Sequence, residues 1–202
     1  MKSILTTRML LVVFVFLGVF SGINEVFAAK RNIEEERRHA RLRATYITRL
    51  VKFIRWDENS THSSKPFNII VLGNEDVGFV QSLEFLVKYG NLSVNGRSVI
   101  VSHFTNSQSK KAIQTIKNGV EFIYFTKNSI LNASDIMPFR NGAMFLAEGR
   151  SFVENESGCI GFEESRNRIK LIFNETCFKR KFAKVNPVLT SLKSVVEVVK
   201  PN

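Results

Sequence analysis

Histidine, cysteine, proline and tryptophan are scarce in this chain, at three, two, four and one of 202 residues. By local pattern His39 falls in a helix, His62 in a polar loop and His103 in a strand. No two share ligand spacing and there is no His-Glu-x-x-His, so nothing points to a metal site. No serine stands in a nucleophile elbow, which removes the commonest hydrolase signature. Few prolines, 18 phenylalanines and 44% hydrophobic content argue against disorder and for a packed core. After residue 20 no second long apolar run occurs, so nothing further along should span a membrane.

What is present begins at the N-terminus. Lys2 and Arg8 precede an apolar run from Met9 to Phe20, and Val26-Phe27-Ala28 follows it. That three-part layout is that of a secretory signal peptide. The run is well short of the roughly 20 residues a spanning helix needs. The expected organisation is a signal peptide over residues 1–28, cut near Ala28, and one domain over residues 29–202; an uncleaved anchor is the alternative. Losing Lys2, Arg8 and Glu25 lowers the formal charge from +11 to +10. Outside the cytosol such charge points to an acidic partner, an anionic lipid surface or solubility, and not to nucleic acid.

Ala40, Ala44, Ile47, Val51 and Ile54 recur at helical spacing, predicting a long first helix that ends near Trp56-Asp57. Strands are expected at Phe67–Leu72, Ser98–Phe104, Val120–Phe125 and Ala143–Ala147. Helices are expected at Val77–Tyr89, Ser107–Lys117 and Ser129–Ile136, and Asn95-Gly96 is a turn signal. Cys159–Phe162 and Ile169–Phe173 flank a polar tip and read as a hairpin, followed by helices at Glu175–Ala183 and Pro187–Val199. The fold class is therefore α/β. It is a layered sandwich with a mixed sheet of about six strands, a parallel βαβ part plus a C-terminal antiparallel hairpin, flanked by helices and led by a long N-terminal helix.

Few residues suggest chemistry. The loop Gly73 to Gly78 follows a strand and opens a helix, where phosphates sit in nucleotide-binding folds. Phe79 and Val80 stand where a P-loop needs Lys and Ser or Thr, so an ordinary turn is the better reading. Glu163-Glu164 reads as part of a solvated hairpin tip. Lys179-Arg180-Lys181 with Lys184, interleaved by Phe178 and Phe182, forms the densest basic cluster, either a solvated helix face or a dock for an acidic surface. Cys159 and Cys177 flank the hairpin. In an oxidising compartment a lone pair favours a disulfide worth about 3 kcal/mol, with two free thiols as the alternative.

Several segments carry a resemblance. Arg43 to Trp56 is similar to the opening helix of the YfiR family, which ends in an Ala-x-Tyr/Phe…Phe-x-x-Trp pattern. Pro66 to Gly73 resembles that family's first strand, and Val94-Asn95-Gly96-Arg97-Ser98-Val99 its Asn-Gly-Arg-x-Val segment. Gly158 to Phe162 and Arg168 to Asn174 resemble its closing hairpin. Ile172 departs from the acidic residue of that hairpin, and Met144 to Gly149 departs from the family's usual Ser-Asp strand ending. The resemblance implies an exported, non-enzymatic regulator without a cofactor. It would be similar to a periplasmic repressor that binds the sensor domain of a membrane-bound diguanylate cyclase and so lowers cyclic di-GMP and biofilm formation. The family also implies modulation by disulfide state and dimerisation.

The expected partner or dimer surfaces are the end of the first helix at Phe53 and Trp56, and the hairpin-to-helix region with Arg168, Asn174, Lys181 and Lys184. Trp56 is equally readable as core or as the seal of a homodimer. The rival function is a periplasmic small-molecule sensor with a pocket near Phe53 and Trp56. A secreted enzyme with an unrecognised site is the third reading.

Overall fold

A computed structural model describes residues 30, 32–56, 65–140, 142–155, 158–165, 168–178 and 183–200. Residues 1–29, where the signal peptide is expected, all of 57–64 and Lys181 lie outside them. The chain divides into two units, Met1–Arg38 and His39–Asn202. The first unit contributes the start of helix α1 (residues 32–53), where Glu34 meets Arg37 and Glu35 meets Arg38 on exposed surface.

In the second unit, α1 continues with the expected stripe, and Ala40, Ala44, Ile47, Leu50 and Val51 are fully or almost fully buried. The helix stops at residue 53. Ile54–Trp56 (β1) is a strand, because the β-branched and aromatic side chains here pair antiparallel with Ala183–Val185 (β9).

The remaining strands form one eight-stranded sheet. In chain order they are Phe67–Leu72 (β2), Ser93–Val94 (β3), Arg97–Phe104 (β4), Phe122–Phe125 (β5), Met144–Glu148 (β6), Ile160–Ser165 (β7), Arg168–Asn174 (β8) and Val196–Val199 (β10). The spatial order is β10-β8-β7-β6-β5-β2-β4-β3. Strands β2, β4, β5, β6 and β7 run parallel, β8 turns back against β7, and β10 runs parallel to β8. The α/β class is as read from the sequence, with β3 and β10 added to the six strands expected. Strands β2, β5 and β6 are buried on both faces, which is why they appear as unbroken apolar runs. One face packs on α1 and on α2 (Phe79–Tyr89). The other packs on α3 (Ser109–Lys117), α4 (Ala133–Ile136) and α5 (Ser151–Glu154).

The C-terminus differs most from expectation. In place of two long helices there are α6 (Glu175–Phe178), β9, α7 (Pro187–Ser191) and β10. The run Val195-Val196-Glu197-Val198-Val199 is β-branched, and the outer edge of β8 offers it a backbone to pair with. The hairpin register also differs. Glu163 faces Lys170 and Ser165 faces Arg168, so Glu163-Glu164 lies in β7 and not at the tip.

Candidate partner-binding surface

Among the described residues, three places have the geometry of a possible site: a turn, a charge cluster and a groove.

The first is the turn from β2 into α2. Gly78 takes a left-handed conformation and α2 begins at Phe79, leaving its first N–H groups without helical partners. The carboxylate of Glu75 accepts from Val77 N at 2.9 Å and Phe79 N at 2.8 Å, with Val80 N at 3.4 Å. The position where this architecture holds phosphate is filled by the chain's own anion.

The second is a half-buried charge cluster. Arg43, 2% exposed on α1, donates to Glu164 on β7 and lies 3.1 Å from Glu148 at the end of β6. Lys127 Nζ is 2.9 Å from Glu148, and His39 Nδ1 is 2.8 Å from Glu164. Burial opposes the Arg43 charge, but the neighbouring Tyr124, Glu148 and Glu164 together raise its pKa. Burial pushes the Tyr124 phenol well up, so it stays protonated and donates to Glu148. Each carboxylate here is held by cations, an arrangement that stabilises charge in place. Neighbouring Glu163 points elsewhere, to Arg150, which also grips Glu197 on β10. The reading of Glu163-Glu164 as a solvated turn is thus corrected: alternation along β7 sends the two side chains to opposite faces, each toward an arginine.

The third is a groove of about 680 Å³ between the end of α1, the β1–β9 ribbon and the β3 turn. Its lining includes Lys52, Phe53, Arg55, Val94, Lys184 and Asn186, and among the described residues none that lines it is acidic. The ribbon register places Arg55 directly opposite Lys184. Phe53 is half-buried, and its carbonyl accepts from Asn186 N at 2.8 Å.

Of the residues expected at an interface, this groove unites Phe53 and Lys184. Arg168 is exposed at the start of β8, outside the groove lining. Trp56 is 7% exposed and sits edge-on to Phe67 and Phe122, with centroids 5.5 and 5.8 Å away, so its ring belongs to the core. Asn174 is 2% exposed. Its amide donates to Gly158 O at 3.0 Å, and its oxygen accepts from Thr176 N at 2.8 Å, so it locks the start of α6 to the hairpin. For Trp56 the core reading fits this burial, and Asn174 as a surface contact is corrected, because its side chain is buried in a cap. Lys181 lies outside the described residues. Cys159 and Cys177 are joined by a buried disulfide, with Cα atoms 5.6 Å apart. Sequence reasoning missed Arg43, Lys52 and Arg55. An arginine inside an apolar helical stripe was the available signal for Arg43. Nothing local marks Arg55, whose partner strand is distant in the chain.

Residues 40–193 match the family described as YfiR/HmsC-like. The chain belongs to the YfiR/HmsC-like family. No curated protein matches it. Among solved structures, the ligand-free, open form of CD0873, a substrate-binding protein with adhesive properties from Clostridium difficile, is similar at 17% identity and a TM-score of 0.39. That match covers 69% of this chain, which spans 56% of the other's length.

Several segments that carry the YfiR resemblance now have structural reasons. Asn95 and Gly96, at φ 50° and 76°, form the tight turn between β3 and β4. Arg97 after it donates to Lys65 O at 2.6 Å and Pro66 O at 2.9 Å and pairs with buried Glu121, fastening β4 to the start of β2. At Gly158 any Cβ would run into the Phe152 ring. The YfiR-like Trp closes an aromatic triad beneath the sheet, and the YfiR-like Asn caps α6. These elements build the domain; the groove gathers three exposed cations on one concave surface.

Proposed function

We propose that this protein is a non-enzymatic regulator acting outside the cytosol. It binds the outward-facing sensor domain of a membrane-bound diguanylate cyclase and holds the enzyme off, lowering cyclic di-GMP and biofilm formation. The observation that carries this reading is the match of residues 40–193 to the YfiR/HmsC-like family. Export is supported by the three-part segment at residues 1–28, which would be removed, leaving residues 29–202 as the acting form. The disulfide is consistent with an oxidising compartment. Among the described residues no helix is long and apolar enough to cross a membrane, so the partner would supply the anchor.

The groove lined by Phe53 and Lys184, together with exposed Arg168, offers the docking surface, with arginine and aromatic side chains as its best energetic anchors. The groove's volume also lies in the range of small-molecule sites, which favours the sensor reading as the runner-up.

The test is deletion of the gene followed by measurement of cyclic di-GMP. A rise that wild type reverses, and that Arg168→Glu reverses less well, supports repression through this surface. Unchanged cyclic di-GMP on deletion removes the cyclase reading.

A further inference from the structure

Lys52, Arg55 and Lys184 are exposed and line one groove, and none forms an ion pair with a described residue. Elsewhere in the domain Arg43, Arg97, Lys127, Arg150 and Lys170 all have carboxylate partners. Other surface cations, such as Lys110 and Arg168, form no ion pair with a described residue either; what sets the groove cations apart is that three of them line one concavity.

Arg55 and Lys184 are also direct partners in the antiparallel register of β1 and β9. Like charges placed directly across a strand pair oppose pairing. This ribbon has only two strands, a size that is marginal by itself. A feature that costs stability in the free chain and brings no compensating contact marks a functional site more often than a structural one. An anion lodged between the two side chains turns the repulsion into two attractions.

The rest of the lining narrows the anion's character. Phe53, Val94 and Val185 give the groove apolar surface, while Ser93, Asn95 and Asn186 add polar groups. Each ribbon strand keeps one backbone edge that no strand of the large sheet pairs with. A concave site with apolar stretches, cations along it and open strand edges beside it suits an extended peptide whose acidic side chains alternate with others. A flat lipid surface would meet the cations but leave the concavity unfilled.

We infer that this groove binds an extended acidic segment of a protein partner, with Arg55 and Lys184 clamping one carboxylate and Lys52 meeting another. This deepens the proposed function and rests on it only for which protein supplies the segment.

The experiment is fluorescence anisotropy of the purified protein with a labelled peptide alternating Glu and Thr, and with its Gln–Thr counterpart. The Glu–Thr peptide should bind at least tenfold more tightly, and its binding should weaken strongly between about 0.05 and 0.5 M salt. Arg55→Glu and Lys184→Glu should each weaken binding at least fivefold, while Lys110→Glu on α3 changes it less than twofold. The thermal midpoint of Arg55→Glu should equal or exceed that of wild type, because its new carboxylate faces Lys184; a loss of binding through misfolding would lower it. Equal binding of both peptides overturns the inference. So does a loss, in these variants, of binding to phosphatidylglycerol vesicles with peptide binding unchanged. If the peptide results hold but gene deletion leaves cyclic di-GMP unchanged, the acidic-segment inference stands and the cyclase reading falls. If deletion raises cyclic di-GMP but the Glu–Thr and Gln–Thr peptides bind equally, the cyclase reading stands and this inference falls.

Discussion

Arg43 donates a hydrogen bond to Glu164 across 121 residues of sequence, with only 2% of the arginine side chain exposed to solvent. The pair ties α1 to β7, and Glu148 at the end of β6 shares the same guanidinium. Removing the cation leaves two largely covered carboxylates without their main partner. Arg43→Met is expected to lower unfolding free energy by about 3 kcal/mol, as measured by urea denaturation. Arg43→Met combined with Glu148→Gln and Glu164→Gln should recover part of that loss. A triple variant no more stable than the single one would show that the charges are not the cause.

The Cys159–Cys177 bridge closes an 18-residue separation and is buried at both ends. Replacing both cysteines with alanine is expected to cost about 3 kcal/mol. Dithiothreitol should leave the folded protein's bond intact and break it once denaturant is added. Thiol labelling with mass detection reads both outcomes.

Trp56→Ala is expected to act on folding. Deleting an indole packed on Phe67 and Phe122 should cost about 3–5 kcal/mol, and Trp56→Phe much less. Peptide affinity per folded molecule should stay unchanged in both, because Trp56 does not line the groove. A selective loss of affinity at full stability would instead place the indole in the interface.

Acid should loosen the C-terminal strand first. Hydrogen bonds from Arg150 and then Lys170 hold the Glu197 carboxyl down at about 2. A carboxylate depressed by folding contributes stability above its ordinary pKa and loses it as pH falls toward the folded value. The contribution of this half-exposed cluster is therefore full above about pH 4.5 and fades toward pH 2. The protection of β10 amides, taken relative to intrinsic exchange at each pH, should fall across that window in wild type. In Glu197→Gln it should be lower at neutral pH and nearly flat across the same window.

Much of the scaffold was legible in the chain because it is decided locally. Strands such as Phe67–Leu72 are apolar at nearly every position, and the Ala40–Val51 stripe has a single period. The ribbon was not legible: Ile54-Arg55-Trp56 extends a helical pattern and becomes a strand only because Ala183–Val185 arrives beside it. The same holds for Val196–Val199, whose valines suit a strand but whose partner β8 is set by tertiary packing. Phe53 and Lys184 were picked out as surface contacts, and the groove does bring them together. Trp56 and Asn174 were picked out too, but their conspicuous chemistry serves the core and a cap. Arg55 went unnoticed because its meaning lies wholly in what it faces.

The Glu75 carboxylate on the first turn of α2 has one more consequence. A tethered group meets its site at an effective concentration in the millimolar range or above. Free phosphate or a nucleotide would have to outcompete that built-in anion at every encounter. The protein should therefore be indifferent to changes in phosphate around it, and its thermal midpoint should not move when phosphate replaces chloride at equal ionic strength. The turn that serves many related architectures as a ligand sensor works in this chain as a fixed pin.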